Sequence, residues 1–112
     1  MKYKTIVLES KKRDSILTEL RFNVASARVL GTELLRIDIP TGEDPDEMRR
    51  IYSASLRILK EMKQDGSIQL YATCASFGAE TTEAKYLMNK YPEIFDENNI
   101  DRIMQGSIYI KV

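Results

Sequence analysis

The chain has 112 residues and a mass of 12.9 kDa, with 17 basic side chains, 17 acidic side chains and no histidine. The missing histidine excludes Ser-His and Cys-His catalytic relays and histidine metal ligands, and the lone cysteine excludes an internal disulfide and a structural zinc site. This length accommodates one domain over residues 1–112, and without a membrane-length apolar run or a signal-peptide pattern we expect a cytoplasmic protein.

Hydrophobic periodicity predicts an alternation of strands and helices along the chain. In chain order we predict a strand at 3–9, a helix at 14–30, a strand at 34–39, a helix at 45–64, a strand at 67–74, a helix at 81–91, a helical turn at 99–104 and a strand at 107–112.

Local signals mark the helix ends. The first helix is expected to face the core with an apolar stripe of Ile16, Leu17, Leu20, Val24, Ala27 and Leu30. Gly31 directly follows this stripe, where a residue free to adopt a positive φ is favoured. At the start of the second helix, Asp44 is suited to capping, Pro45 to the first helical position and Glu47 to a capping-box-like pair with Asp44.

The predicted strands alternate apolar and polar residues, whereas a parallel sheet buried on both faces gives continuous apolar runs. We therefore predict an α/β fold, a two-layer βαβαβαβ sandwich with a four-stranded mixed or mostly parallel sheet. Whether the third helix covers the second face of that sheet stays open at this point.

Several segments resemble the small MutS-related (Smr) domain family, especially its stand-alone bacterial members. The resemblance covers most of the chain and is carried by the segments Thr5-Ile6-Val7-Leu8, Leu34-Leu35-Arg36-Ile37, Lys63-Gln64-Asp65-Gly66-Ser67-Ile68, Phe77-Gly78, Thr82 through Tyr91-Pro92-Glu93, and Gln105-Gly106-Ser107-Ile108-Tyr109-Ile110-Lys111-Val112. It implies an α/β module that associates with nucleic acid, because family members do so and some of them cleave it.

The functional motifs of the family are absent. Smr domains carry a Leu-Asp-Leu-His-Gly-type motif after the first strand, where this chain has Glu9 in place of the histidine, followed by Ser10. Their second motif is His-Gly-x-Gly, and here Ile39-Pro40-Thr41-Gly42 keeps only the last glycine. The resemblance therefore implies a degenerate, non-catalytic member, and we assign no catalytic residue, metal ligand or cofactor.

Carboxylates gather between the second strand and the second helix, at Asp38, Glu43, Asp44, Asp46 and Glu47. Oxygen ligands of this kind hold Mg²⁺ in phosphoryl-transfer sites. Acidic residues in a first helical turn are also favoured by capping and by the helix dipole, and we prefer that structural interpretation.

The second helix also has a basic face opposite its apolar stripe. At 100° per residue, five side chains fall within about 140° of one another: Arg49, Arg50, Arg57, Lys60 and Lys63. We call these five residues the basic α2 face. They are candidates for contacts with nucleic-acid phosphates, and the alternative is a solvated outer helix face.

Two further surfaces are candidates for binding. The less apolar face of the sheet is expected to carry Tyr71, Tyr109, Arg36 and Lys111, which could stack single-stranded bases or be covered by the third helix. On the back of the first helix, away from its core stripe, lie Phe22, Ala25 and Val29, an apolar patch that favours a homodimer or a contact within the fold.

Two classes of function follow from the sequence. One is a non-catalytic Smr-like module that associates with nucleic acid through the basic α2 face. The other is a protein-interaction or structural domain, homodimeric through the first helix, with no nucleic-acid role. The balanced charge favours the second class and the resemblance favours the first.

Overall fold

The observed elements follow the predicted alternation closely. The computed structural model describes residues 2–40, 44–95 and 106–112. In chain order its elements are β1 (Tyr3–Val7), α1 (Arg13–Leu30), β2 (Leu34–Asp38), α2 (Pro45–Gln64), β3 (Leu70–Thr73), α3 (Cys74–Gly78), α4 (Thr82–Lys90) and β4 (Ser107–Lys111).

The four strands form one mixed sheet in the order β1-β2-β4-β3. β1 is parallel to β2, with Thr5 opposite Arg36, and β4 is antiparallel to both of its neighbours. This arrangement confirms the predicted α/β sandwich with a mixed sheet. It also leaves β1 and β3 at the two edges.

The larger core lies between one face of the sheet and the helices α1 and α2. α1 contributes Ile16, Leu20, Val24 and Ala27, and α2 contributes Ile51, Ile58, Leu59 and Met62. They pack against every second residue of the central strands, which are Leu35, Ile37, Ile108 and Ile110. The apolar residues that recur with helical spacing in α1 and α2 therefore pack in one cluster with those that alternate along the strands.

A second, smaller core covers part of the opposite face. Leu34, Ala72 and Tyr109 of the sheet pack there with Ala84 and Leu87 of α4, and with Phe77, Tyr91 and Phe95. The aromatic rings interlock, since the ring centroid of Phe95 lies 5.0 Å from that of Phe77 and 4.8 Å from that of Tyr109. The predicted third helix, α4, thus covers the sheet over β3 and β4.

The predicted helix ends are confirmed at two points. Gly31 caps α1 in the left-handed region at φ 73°, and its N–H donates to carbonyl oxygens of the last turn. Asp44 caps α2 by accepting a 3.0 Å hydrogen bond from the N–H of Asp46. The predicted capping-box pair of Glu47 with Asp44 does not form, because the Glu47 carboxylate pairs with Lys11 at 3.3 Å instead.

One element was not predicted. α3 begins at Cys74, where the sequence pattern predicts the end of a strand. A reciprocal pair of bonds starts it: the N–H of Thr73 donates to Ser76 Oγ, and the N–H of Ser76 donates to Thr73 Oγ1. The predicted helical turn at 99–104 lies outside the described residues.

None of the helices in the described ranges has the length and apolar character that a bilayer span requires.

Candidate functional site

The described members of the predicted acidic cluster do not converge on one point in the fold. Asp38 accepts hydrogen bonds from Arg36 Nε at 2.8 Å and from Ser107 Oγ at 2.7 Å. The bond from Ser107 joins β4 to β2. Burial lowers the pKa of Arg36, but hydrogen bonds to Asp38 and Tyr3 outweigh it and raise that pKa above the ordinary value. Asp38 is therefore engaged within the sheet.

The remaining acidic residues serve the start of α2. Asp44 is its cap, Glu47 pairs with Lys11, and Asp46 lies 3.8 Å from Arg49. Glu43 lies outside the described residues. Among the residues that the structure describes, no group of three or more His, Cys, Asp or Glu side chains is arranged to hold a metal ion.

The basic α2 face is exposed, but its members differ in their surroundings. Arg49 pairs with Asp46, and Lys63 pairs with Glu83 of α4 at 3.6 Å. Arg50 donates to the backbone carbonyl of Lys11 at 3.4 Å. Arg57 and Lys60 are exposed and form neither an ion pair nor a hydrogen bond with the described residues, so their charge is available to a partner.

The structure contradicts the base-stacking alternative for the sheet face, and α4 covers Tyr109 as the other alternative expected. Tyr71 lies on the side of the sheet that packs against α1 and α2, whereas Tyr109 lies on the opposite side. Tyr109 and Lys111 are also buried, at 4% and 6% exposed. The reason is the register of β3 with β4, which sets Tyr71 opposite Ile110 and Ala72 opposite Tyr109. Leu70 and Ala72 therefore pack on the α4 side of the sheet.

The apolar patch on α1 is exposed as predicted. Phe22 is 68% exposed and Val29 is 86% exposed, and Ala25 is also exposed. The structure adds Leu30, which the sequence pattern assigned to the core and which is 64% exposed. A shallow surface depression of about 370 Å³ runs along this patch. We call Phe22, Ala25, Val29 and Leu30 the outer α1 face.

A groove that the sequence did not indicate lies between α1 and the edge strand β1. It is open to solvent, has a volume of about 960 Å³ and is lined by Ile6, Val7, Thr18, Glu19, Phe22 and Asn23, among others. Because Phe22 lines both the groove and the outer α1 face, the two surfaces are continuous. Val7 of β1, 56% exposed, extends the apolar surface to the edge of the sheet.

Glu19 organises one end of this groove. Its carboxylate accepts hydrogen bonds from the backbone N–H groups of Glu9 and Ser10, at 3.0 and 2.9 Å, and from Ser10 Oγ at 2.6 Å. Such charge-assisted bonds are stronger than neutral ones. These bonds tie the loop that carries Glu9 and Ser10 to α1.

In comparisons with known proteins, no family model, no curated protein and no solved structure matches the chain.

Proposed function

We propose that this chain is a protein-interaction domain that self-associates through the outer α1 face. The observation that carries the proposal is the exposure of three large apolar side chains on one side of one helix: Phe22, Val29 and Leu30. Contiguous exposed apolar surface in a water-soluble fold marks a contact with a partner. Burial of a phenylalanine side chain alone gains about 2 kcal/mol.

A second copy of the chain is the simplest partner. In a two-fold dimer each patch covers its counterpart, so one surface satisfies both subunits. α1 also uses a different flank for its contacts within the fold, since Arg13 and Arg21 pair with Glu61 and Asp65 on the α2 side. The outer α1 face is therefore free of the ion pairs that link α1 to α2.

The test is the oligomeric state as a function of concentration, measured by sedimentation velocity. We expect the unmutated chain to form dimers at micromolar concentration and Phe22→Glu to remain monomeric with an unchanged circular dichroism spectrum. Tyr86→Glu, which alters an exposed aromatic residue on α4, is the matched control and should still dimerise. A chain that sediments as a monomer at high micromolar concentration would refute the proposal.

A second candidate function is nucleic-acid association by a degenerate Smr-like module. Its support is the pair Arg57 and Lys60, which are exposed on the basic α2 face and form no ion pair with the described residues. Phosphate contacts by such side chains release counterions, so the affinity should fall as the salt concentration rises. The proposed module is non-catalytic and cytoplasmic.

Electrophoretic mobility titration with single- and double-stranded DNA and RNA at two salt concentrations tests this candidate. If binding occurs through the basic α2 face, the double variant Arg57→Glu/Lys60→Glu should weaken it by about 1 kcal/mol or more. Lys85→Glu, on α4, removes one exposed lysine elsewhere and is the control. Binding that is insensitive to salt and to the double variant would place the contact elsewhere on the molecule.

A further inference from the structure

We infer that the outer edge of β1 pairs with the β1 edge of a second copy, so that the dimer joins two four-stranded sheets into one. This inference rests on the proposed self-association and specifies its geometry. It starts from the position of β1, which lies at one end of the strand order and pairs only with β2 among the described strands.

The backbone of β1 has a row of hydrogen-bonding groups that point away from the sheet. Lys2 accepts a hydrogen bond from the N–H of Leu34, and the N–H of Leu8 donates to Asp38. In a parallel ladder, the backbone groups of every second residue bond to a given neighbouring strand. The backbone N–H and C=O groups of the even-numbered residues of β1 therefore point towards β2. The N–H and C=O groups of Tyr3, Thr5 and Val7 therefore face outward, where another strand can pair with them.

An antiparallel pairing centred on Thr5 uses all of these groups. Thr5 then lies opposite the partner's Thr5, and Tyr3 lies opposite the partner's Val7. Threonine pairs and pairs of an aromatic with a β-branched residue are favourable across strands. The pairing also covers Val7, which is 56% exposed in one copy. The strand is thus self-complementary, as a two-fold contact requires.

The charges beside the edge are complementary in the same register. Lys4 lies on the α1 side of the sheet, because it is opposite Leu35 of the main core. Across the edge it lies beside the partner's Ile6, at the groove that Glu9, Asp14 and Glu19 line. A lysine from each copy therefore reaches an acidic groove on the other copy.

The exposed side of α1 fits this arrangement. Beside the core stripe, α1 has a second stripe of exposed residues spaced alternately three and four apart: Ser15, Thr18, Phe22, Ala25 and Val29. Residues at that spacing lie on one face of a helix, and the contact face of paired helices has the same spacing. Around a two-fold axis through Thr5, the two α1 helices run antiparallel on the same side of the joined sheet, with Phe22 near the centre and Val29 near the partner's Ser15.

Amide hydrogen exchange measured by NMR tests the edge directly. In the dimer, the amides of Tyr3, Thr5 and Val7 should exchange about tenfold or more slowly than in the Phe22→Glu monomer. The amides of Lys4 and Ile6 should be protected in both, because they bond to β2. If a dimer forms but the three outward amides exchange at the rate of the monomer, the edge pairing is refuted while self-association through α1 stands.

A proline substitution provides the second arm of the test. Thr5→Pro removes an outward N–H that the isolated fold does not use, and proline is tolerated on edge strands for that reason. We expect it to weaken dimerisation by about tenfold, whereas Thr5→Ala keeps the N–H and should remain within about threefold of the unmutated chain. Equal dimerisation by both variants would contradict the edge pairing. If Thr5→Pro fails to fold, the exchange experiment decides, and a wholly monomeric unmutated chain refutes both proposals.

Discussion

Two turns that pack beside α1, the loop after β1 and the turn after α2, are each held by one carboxylate. Glu19 accepts the N–H groups of the loop that follows β1, and Asp65 accepts hydrogen bonds from the N–H of Ser67, at 2.9 Å, and from Arg21 Nη2, at 3.0 Å. Ser67 Oγ also donates to Asp65. At the scale of the residue, the loops are held by acceptors placed beside backbone donors, and the acidic side chains act as structural groups.

The Asp65 carboxylate should make stability depend on acidity. The hydrogen bonds from Ser67, and then the contact with Arg21, lower the pKa of Asp65 to about 2 from its ordinary value of 3.8. A lowered pKa stabilises the fold above pH 3.8, and this contribution is lost as the pH falls from there towards 2. In urea titrations over that range, the free energy of unfolding of the unmutated chain should fall more steeply than that of Asp65→Asn. Equal slopes would contradict the assignment.

At the scale of the element, α2 is the best specified part of the chain. It begins at its predicted residue, since Asp44 caps it and Pro45 occupies its first position, and it ends as predicted at Gln64. The side opposite the basic α2 face carries its buried residues, which are Ile51, Ser55, Ile58, Leu59 and Met62. α3 is the contrasting case, because five residues carry too little periodicity to be recognised.

The Asp44 cap should contribute measurably to stability. Asp44→Ala removes the acceptor for the N–H of Asp46 and should lower the free energy of unfolding by about 1 kcal/mol. Asp44→Asn retains a side-chain oxygen and should cost much less. Urea denaturation monitored by circular dichroism compares the two variants. Equal free energies of unfolding for the alanine and asparagine variants would show that the cap does not contribute to stability.

At the scale of the whole molecule, the sheet is held from both sides. α1 and α2 form the larger core, and the aromatic residues near α4 form the smaller core on the other face. Burial raises the pKa of Tyr109 to about 12, although Arg36 opposes that rise. The central strands therefore have little contact with water on either face, and the exposed apolar surface is concentrated on α1 and β1.

The smaller core predicts a large effect from a single truncation. Phe77 is 7% exposed and packs against Phe95 and Tyr109. Phe77→Ala should therefore destabilise the fold by about 3 kcal/mol, as truncations of buried phenylalanine do. Phe77→Leu keeps most of the volume and should cost about half as much. If urea denaturation shows that the alanine variant loses less than about 1 kcal/mol in its free energy of unfolding, Phe77 is not closely packed in the smaller core.

Part of the candidate site was predictable from local spacing. Phe22 and Val29 fall outside the core stripe of α1 on helical geometry alone, and both are exposed in the structure. Leu30 was assigned to the core, yet it is exposed because α1 ends there and the chain turns at Gly31. The groove beside β1 was not predictable, because it depends on which strand lies at the edge of the sheet.

The local physics of the chain established the helices, their caps and the alternation of the strands, because capping bonds and side-chain periodicity involve residues only a few positions apart. The placement of Tyr71 and Tyr109 on opposite faces, the position of β1 at an edge and the dispersal of the acidic residues came from the fold. Each depends on strand order and register, which bring together segments as distant as Asp38 and Ser107. Residues so far apart in the chain leave no local signal of their contact, so the surfaces proposed for binding became visible only once the sheet was assembled.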